Sequence, residues 1–270
     1  MALMPGGRAT EIAYPPSRRL TADVGRIGRG KHRVQALLEI DVTEARSRIK
    51  ALRREGERAS FTAYLVKAIA ESVAGHPTVA GYNRARRNRV VVFDDVDVAL
   101  VIERSVDGVR VPLPYVIRAA QRKTLAAIRD EIDAARSQRV GDEGDLVLGE
   151  RRPVPAMRAF IALPQWLRLV LMRAFLLDRP QRAKAAMGNV MVTTVGMVGR
   201  VRGWIVPSSL HPLCIALGSL GSRPAVRQGA LCERTILNVT VLFDHDVVDG
   251  VPAAKFVGEL VKRLESATGL

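Results

Sequence analysis

The octapeptide FDHDVVDG, residues 243–250, closes an alternating run from Ile236 to Phe243 and opens the last helical pattern of the chain. A histidine at a strand end stands where the backbone stops pairing and side chains can meet a substrate. His245 is therefore a candidate general base, and Asp249, four residues on, a carboxylate able to return and support it. Gly250 reads as the residue that lets the chain turn tightly into the helix. The same letters also fit a histidine at a loop tip and an aspartate at a helix start. Spacing alone leaves both readings open.

The neighbouring sequence is interleaved helix and strand. Pro252 falls in the first turn of a helix whose apolar face is Phe256, Val257, Leu260, Val261 and Leu264. Strands are expected near 189–195, 213–218 and 235–243. Earlier, residues 34–40 suit a strand leading to Asp41, which with Glu44 three residues later opens a helix in capping-box fashion. Ala45, Ile49 and Leu52 share one face of that helix and Gly56 stops it. Phe61, Tyr64, Leu65, Ala68, Ile69 and Val73 form the stripe of the next, ended by Gly75 and Pro77. Val90–Phe93 and Val96–Ile102 read as strands, and Leu125, Ile128 and Ile132 as a helix after the turn-rich segment 107–114. Residues 139–155 read as a loop and residues 1–33, rich in Gly, Pro and Arg, as an arm.

Composition narrows the classes. In 270 residues, 42 Lys and Arg against 27 Asp and Glu leave a formal charge of +15, which suits anionic partners. Nucleic acid is not expected, because no recognition-helix or RNA-binding motif is present and aromatic residues at 4% give no stacking platform. Cys214 and Cys232 are too few for a disulfide framework and form no CxxC pair, so no metal site is expected and a reducing, cytoplasmic home is. Neither an apolar signal segment nor an apolar run long enough to span a bilayer is visible.

His245-x-x-x-Asp249-Gly250, preceded by Phe243-Asp244, resembles the active-site signature of the dihydrolipoamide acyltransferases, the catalytic cores of 2-oxo acid dehydrogenase complexes. The likeness extends in order along residues 34–140 and 188–268, through EIDVTEARSRIKAL, SFTAYLVKAIAESVAGHPTVAGYN, VDVALVIERSVDGVRVPLPYVIRAAQRKTLAAI, NVMVTTVGMVG and IVPSSLHPLCIALGSLGSRPAV. The resemblance implies a single α/β domain over 34–270, a chloramphenicol acetyltransferase-like mixed-sheet sandwich with helices. It also implies coenzyme A-dependent acyl transfer between a thioester and a thiol. In that reading His245 takes the proton of a thiol. Thr193, three residues before Gly196, donates to the oxyanion, with Thr194 as fallback, and Asp249 forms a supporting salt bridge. The family's trimers would build the site between subunits and can assemble further into a cage. Coenzyme A is then a substrate, and a lipoyl group would arrive in trans on a lipoylated carrier protein, since no lipoyl hairpin or swinging linker occurs here. Alternatives are an acyltransferase for a free small molecule, and a decayed scaffold of the same fold.

Departures are as informative. Asp246 stands where the family usually has Arg, and Ala119 and Ala120 replace polar residues. His32 precedes a strand as a family histidine often does, though a solvated loop accounts for it equally. His76 and His211 lie beside prolines, where turn placement explains them. Arg84, Arg86, Arg87 and Arg89 form a basic hairpin that suits either solvent or phosphates. Residues 151–187 read as an apolar helical insertion; in its part 153–177, past Pro164, Arg168 and Arg173 are the main interruptions of the apolar surface. Such a helix needs cover. Protein near the active-site entrance is the expected cover, and a membrane surface touching 153–177 is the lesser alternative.

Overall fold

Alternating apolar residues become strands and three-to-four-spaced ones become helices in the following order. They are α1 (Pro16–Arg29), β1 (Arg33–Asp41), α2 (Thr43–Arg54), α3 (Phe61–Gly75), β2 (Tyr82–Arg84), β3 (Arg89–Val91), β4 (Val98–Val106), β5 (Val109–Ile117) and α4 (Leu125–Ser137). Then come α5 (Val154–Ala162), α6 (Gln165–Met172), a π turn (Arg173–Leu177), α7 (Pro180–Met187), β6 (Val190–Thr193), β7 (Leu213–Arg227), β8 (Ala230–Asp244) and α8 (Gly250–Glu265). This is a computed structural model in which residues 10–11, 16–106, 109–137, 154–194, 202–227 and 229–270 are described. The turn at Asp107-Gly108, Gly196 and most of the 139–155 loop lie outside the described residues.

Six strands form one mixed sheet in the order β1-β8-β7-β6-β4-β5, and β2 and β3 make a separate ribbon carrying the basic hairpin. Strand β6 is parallel to both its neighbours, and the other pairs are antiparallel. One face is the main core: Val98 and Leu100, Val190 and Val192, Leu213 and Ile215, and Val241 and Phe243 are buried in one cluster with residues of α2, α3, α4 and α8. Phe243 meets Phe256 of α8 edge to face, with ring centroids 5.9 Å apart. Helix α3 begins where the Ser60 hydroxyl accepts from the Ala63 amide at 3.3 Å. The opposite face is lined by smaller and polar residues, Cys214, Ala216, Asn238 and Thr240, all buried. Segment 202–212 lies against it. The Trp204 indole donates to the Leu38 carbonyl at 2.9 Å, and a Cβ on Gly218 would sit 2.7 Å from the Gly203 oxygen.

Several expectations need correction. Residues 16–29, read as part of an arm, are a helix whose buried positions include Asp23 beside Ile27, so a charge hides the apolar stripe. Strands β7 and β8 run past their expected ends, because the projecting part of the hairpin is exposed and shows no burial alternation. Asp41 does not cap α2. Val42 holds the cap position, and the Asp41 carboxylate instead accepts from the Thr43 amide and hydroxyl and from Arg234 Nε. Gly250 needs no glycine freedom, since its φ is not positive and an added Cβ meets nothing. Gly188 does: its φ is +73° and an added Cβ would lie 2.5 Å from the Asp97 oxygen. The apolar insertion is broken at Pro164 into short helices instead of one long one.

Candidate active site

His245 follows the last residue of β8, in the turn 245–247, with its side chain exposed. Register explains its anchorage. β1 pairs Arg33 with Asp244, so residues 31–33 run directly beside the 244–246 turn. The His245 amide donates to the His32 carbonyl at 2.7 Å. On either side, Lys31 Nζ donates to Asp244 at 2.6 Å and His32 Nδ1 bonds to Asp246 at 2.8 Å. Burial lowers the Lys31 pKa while Asp244 works against that loss, and the Asp246 carboxylate raises the His32 pKa. Complementary charges at 31–32 and at 244 and 246 were in the sequence. Only strand register brings them together.

Asp249 occupies the N-cap position of α8, but its side chain makes no cap bond, and no salt bridge to it occurs among the described residues. The helix that follows is entered with ordinary backbone geometry.

Thr193 ends β6 and is buried, while Thr194 beside it is half-buried. Pairing puts Thr193 in one row with Ala216 of β7 and Thr240 of β8, on the sheet face away from the main core. The Thr240 hydroxyl is buried without a hydrogen-bond partner among the described residues. His245 lies five residues beyond that row and two strands across. At a rise of roughly 3.3 Å per residue and a strand spacing of roughly 4.8 Å, the two side chains of one chain stand roughly 15–20 Å apart. A single chain does not bring His245 and Thr193 together.

Behind the His245 turn sits a buried polar knot that the residue pattern did not reveal. Arg33 donates to the carbonyls of Ser209, His211 and Pro212 at 2.9, 2.7 and 3.1 Å. His211, expected merely at a turn, is buried. Its Nε2 donates to the Met187 carbonyl at 2.7 Å and its Nδ1 accepts from the Ser209 hydroxyl at 3.1 Å. Burial brings its pKa down to about 4, so the ring is neutral at physiological pH. Through these bonds the end of α7, which leads into β6, is tied to the turn that backs His245.

His76 closes α3 and packs edge-on against Phe256. In the basic ribbon Arg86 pairs with Asp178 at 3.0 Å, while Arg87 and Arg89 face solvent. A groove of about 960 Å³ lies at the far end of β8, lined by Asp41, Arg227, Arg234 and the last turns of α8. Burial works to raise the Asp41 pKa, but the Thr43 and Arg234 contacts outweigh it and bring the value to about 2. That carboxylate is held as an ion and is a poor proton acceptor for a thiol.

Comparison with known proteins bears on this arrangement. The model of the 2-oxoacid dehydrogenases acyltransferase (catalytic domain) family matches residues 32–143 and 181–270, leaving 144–180 unmatched. The dihydrolipoyllysine-residue acetyltransferase component of the pyruvate dehydrogenase complex of Mycoplasma pneumoniae is 28% identical over 223 residues, 82% of this chain and 45% of that protein. The chain spans about half the length of the curated relatives it matches. The cubic core of a pyruvate dehydrogenase multienzyme complex superposes with a TM-score of 0.69 at 16% identity, covering 99% of this chain and 98% of that one. The dihydrolipoamide acetyltransferase of Azotobacter vinelandii, whose mechanism has been probed at a serine, a histidine and an asparagine, superposes at 0.68 with 17% identity, covering 99% and 98%. These likenesses extend the fold over both halves of the sheet, and the family match takes in both His245 and Thr193. The chain thus belongs to the family of 2-oxoacid dehydrogenase acyltransferase catalytic domains.

Proposed function

We propose that the chain is a coenzyme A-dependent acyltransferase that moves an acyl group between acyl-dihydrolipoamide or acyl-CoA and a thiol. The observation that carries this reading is an exposed imidazole at a strand end, on a turn pinned by the His32 carbonyl and flanked by two charge pairs. His245 takes the thiol proton. Imidazole titrates near pH 6.5 and a thiol near 8.5, so this modest uphill transfer suits a positioned base. The thiolate attacks the thioester carbonyl, and the Thr193 hydroxyl donates to the oxygen on which charge collects, a contribution of about 3 kcal/mol for one such donor. The proton returns to the departing thiolate as the tetrahedral intermediate collapses.

Spacing supports the assignment. In the Azotobacter enzyme the serine stands fifty-two positions before the histidine and the asparagine four after. Thr193 and Asp249 stand at those same distances from His245. The separation of Thr193 from His245 within one chain favours a site shared between subunits of a homotrimer, where a neighbour's Thr193 serves this His245. Trimers can build a larger cage, as in the cubic core that shares the fold. Where a lipoyl group is the acceptor, it comes in trans on a carrier protein, drawn by the net charge of +15. The two cysteines are free, in keeping with a cytoplasmic setting.

Acyl exchange between acyl-CoA and dihydrolipoamide tests the activity, and mixing tests the shared site. Thr193→Val should cost about 10²–10³ in turnover. Co-assembling Thr193→Val with His245→Ala chains should regain activity, because some interfaces then hold both wild-type groups. No regain would overturn the shared site, and no exchange by the wild type would overturn the activity.

A further inference from the structure

Helix α6 with its π turn, residues 165–177, is charged inside and apolar outside. Its one buried residue is Arg168, 4% exposed, whose guanidinium donates to both oxygens of Asp23 in α1 at 2.7 and 3.1 Å and to the Leu163 carbonyl at 2.6 Å. Every leucine of the stretch is only partly covered. Trp166 is 66% exposed, and Val170, one turn later on the same face, and Phe175 are each 54% exposed. A helix in water arranges itself the other way round. The chain's own core therefore does not cover this segment, contrary to one cover allowed by its sequence.

Charge identifies the missing cover. Arg173 on this stretch, Arg179 and Arg182 just beyond it, and Arg26 and Arg29 on α1 are exposed. The acidic residues of residues 16–29 and 154–187 are Asp23 and Asp178, and each is already paired, with Arg168 and Arg86. A second copy of this face would set arginine against arginine, and a neutral apolar partner would strand the same charges. A surface that is apolar within and anionic at its rim meets both demands. At 1.5 Å per residue the thirteen residues reach roughly 20 Å, well short of a hydrocarbon core of roughly 30 Å. No helix among the described residues is long and apolar enough to cross a membrane. The segment would lie in the plane of the interface, with Trp166 and Val170 among the acyl chains and arginines at the headgroups.

We infer that residues 165–177 are an in-plane anchor for anionic lipid surfaces. The full-length chain should co-sediment with phosphatidylcholine vesicles containing phosphatidylglycerol roughly tenfold better than with phosphatidylcholine alone, and added salt should weaken that binding. In a Trp204→Phe background, the emission of Trp166 should shift to the blue on anionic vesicles. Trp166→Glu with Val170→Glu should cut binding roughly tenfold while leaving subunit count and acyl exchange unchanged. Absence of vesicle binding, or equal binding to neutral vesicles, overturns the proposal. So does dissociation of subunits by the double substitution, which would make this face a contact between copies, or its selective loss of binding to an acidic carrier protein.

Discussion

Helix α3 and residues 165–177 are comparably rich in apolar residues, yet α3 buries ten of its fifteen residues and 165–177 buries one, an arginine. The difference lies in what each is packed against. Helix α3 lies among α4, α8 and the core face of the sheet, where each buried Val, Leu, Ile or Phe gains roughly 1.5–3 kcal/mol by leaving water. The other stretch touches its own chain through α1 and the adjoining α7, and at the α1 contact the sequence offers Arg168 and Asp23. Apolar composition states that a segment needs cover, but it does not name the cover. The same division separates the family framework, residues 32–143 and 181–270, from the unmatched stretch between.

If the framework carries the chemistry and the helices 16–29 and 154–177, joined to it by α7, do not, the two should fail independently. The largest effect belongs to the framework. His245→Ala should lower acyl exchange by about two to four orders of magnitude while barely moving the melting temperature, because the side chain is exposed. A variant that keeps more than half the wild-type rate would end the assignment of His245 as base. Arg168→Ala comes next. It strands a fully buried Asp23 carboxylate and should cost about 3–5 kcal/mol, read as faster amide exchange in 16–29 and 154–177 with the sheet unchanged. If the sheet amides accelerate equally, the two regions are one cooperative unit and the comparison fails.

The third effect lies where the two regions join, at the His211 bond to Met187. Folding holds this imidazole at a pKa of about 4 against an ordinary 6.5, so the unfolded chain binds the extra proton between those values. The stability it contributes is complete above pH 6.5 and is lost as pH falls through 4. That loss should amount to about 3 kcal/mol in denaturant titrations, and His211→Gln should remove its pH dependence. A slope unchanged by the substitution would assign the acid sensitivity elsewhere. Smallest is a pair of glycines. Gly188→Ala should destabilise by about 1–3 kcal/mol, whereas Gly250→Ala should stay within about 0.5 kcal/mol. Equal melting temperatures for the two would mean that the backbone at Gly188 relaxes freely.

Much of the framework was legible in the chain itself. The stripe of α3, the alternation of β8 and the apolar face of α8 report period directly, because one side of each meets a continuous core and the other does not. The residues FDHDVVDG marked His245 for the same local reason, a strand ending in a polar turn. Helix α1 was not legible, since a buried Asp23 breaks the apolar pattern that would announce it. Nor were the projecting parts of β7 and β8, whose exposed residues carry no alternation.

What the amino-acid order determined alone was each element's preferred period, the charge of +15 and the chemical identity of the groups at 193 and 245. Tertiary structure decided who meets whom. The β1–β8 register set Lys31 and His32 beside Asp244 and Asp246, and the path of the sheet held Thr193 away from the His245 of its own chain. It also turned Arg168 inward and Trp166 outward. The physical reason is range. Periodicity and capping act over a few residues, whereas strand register, ion pairing across more than a hundred residues and the side of a helix that finds cover depend on contacts that exist only once the chain has folded.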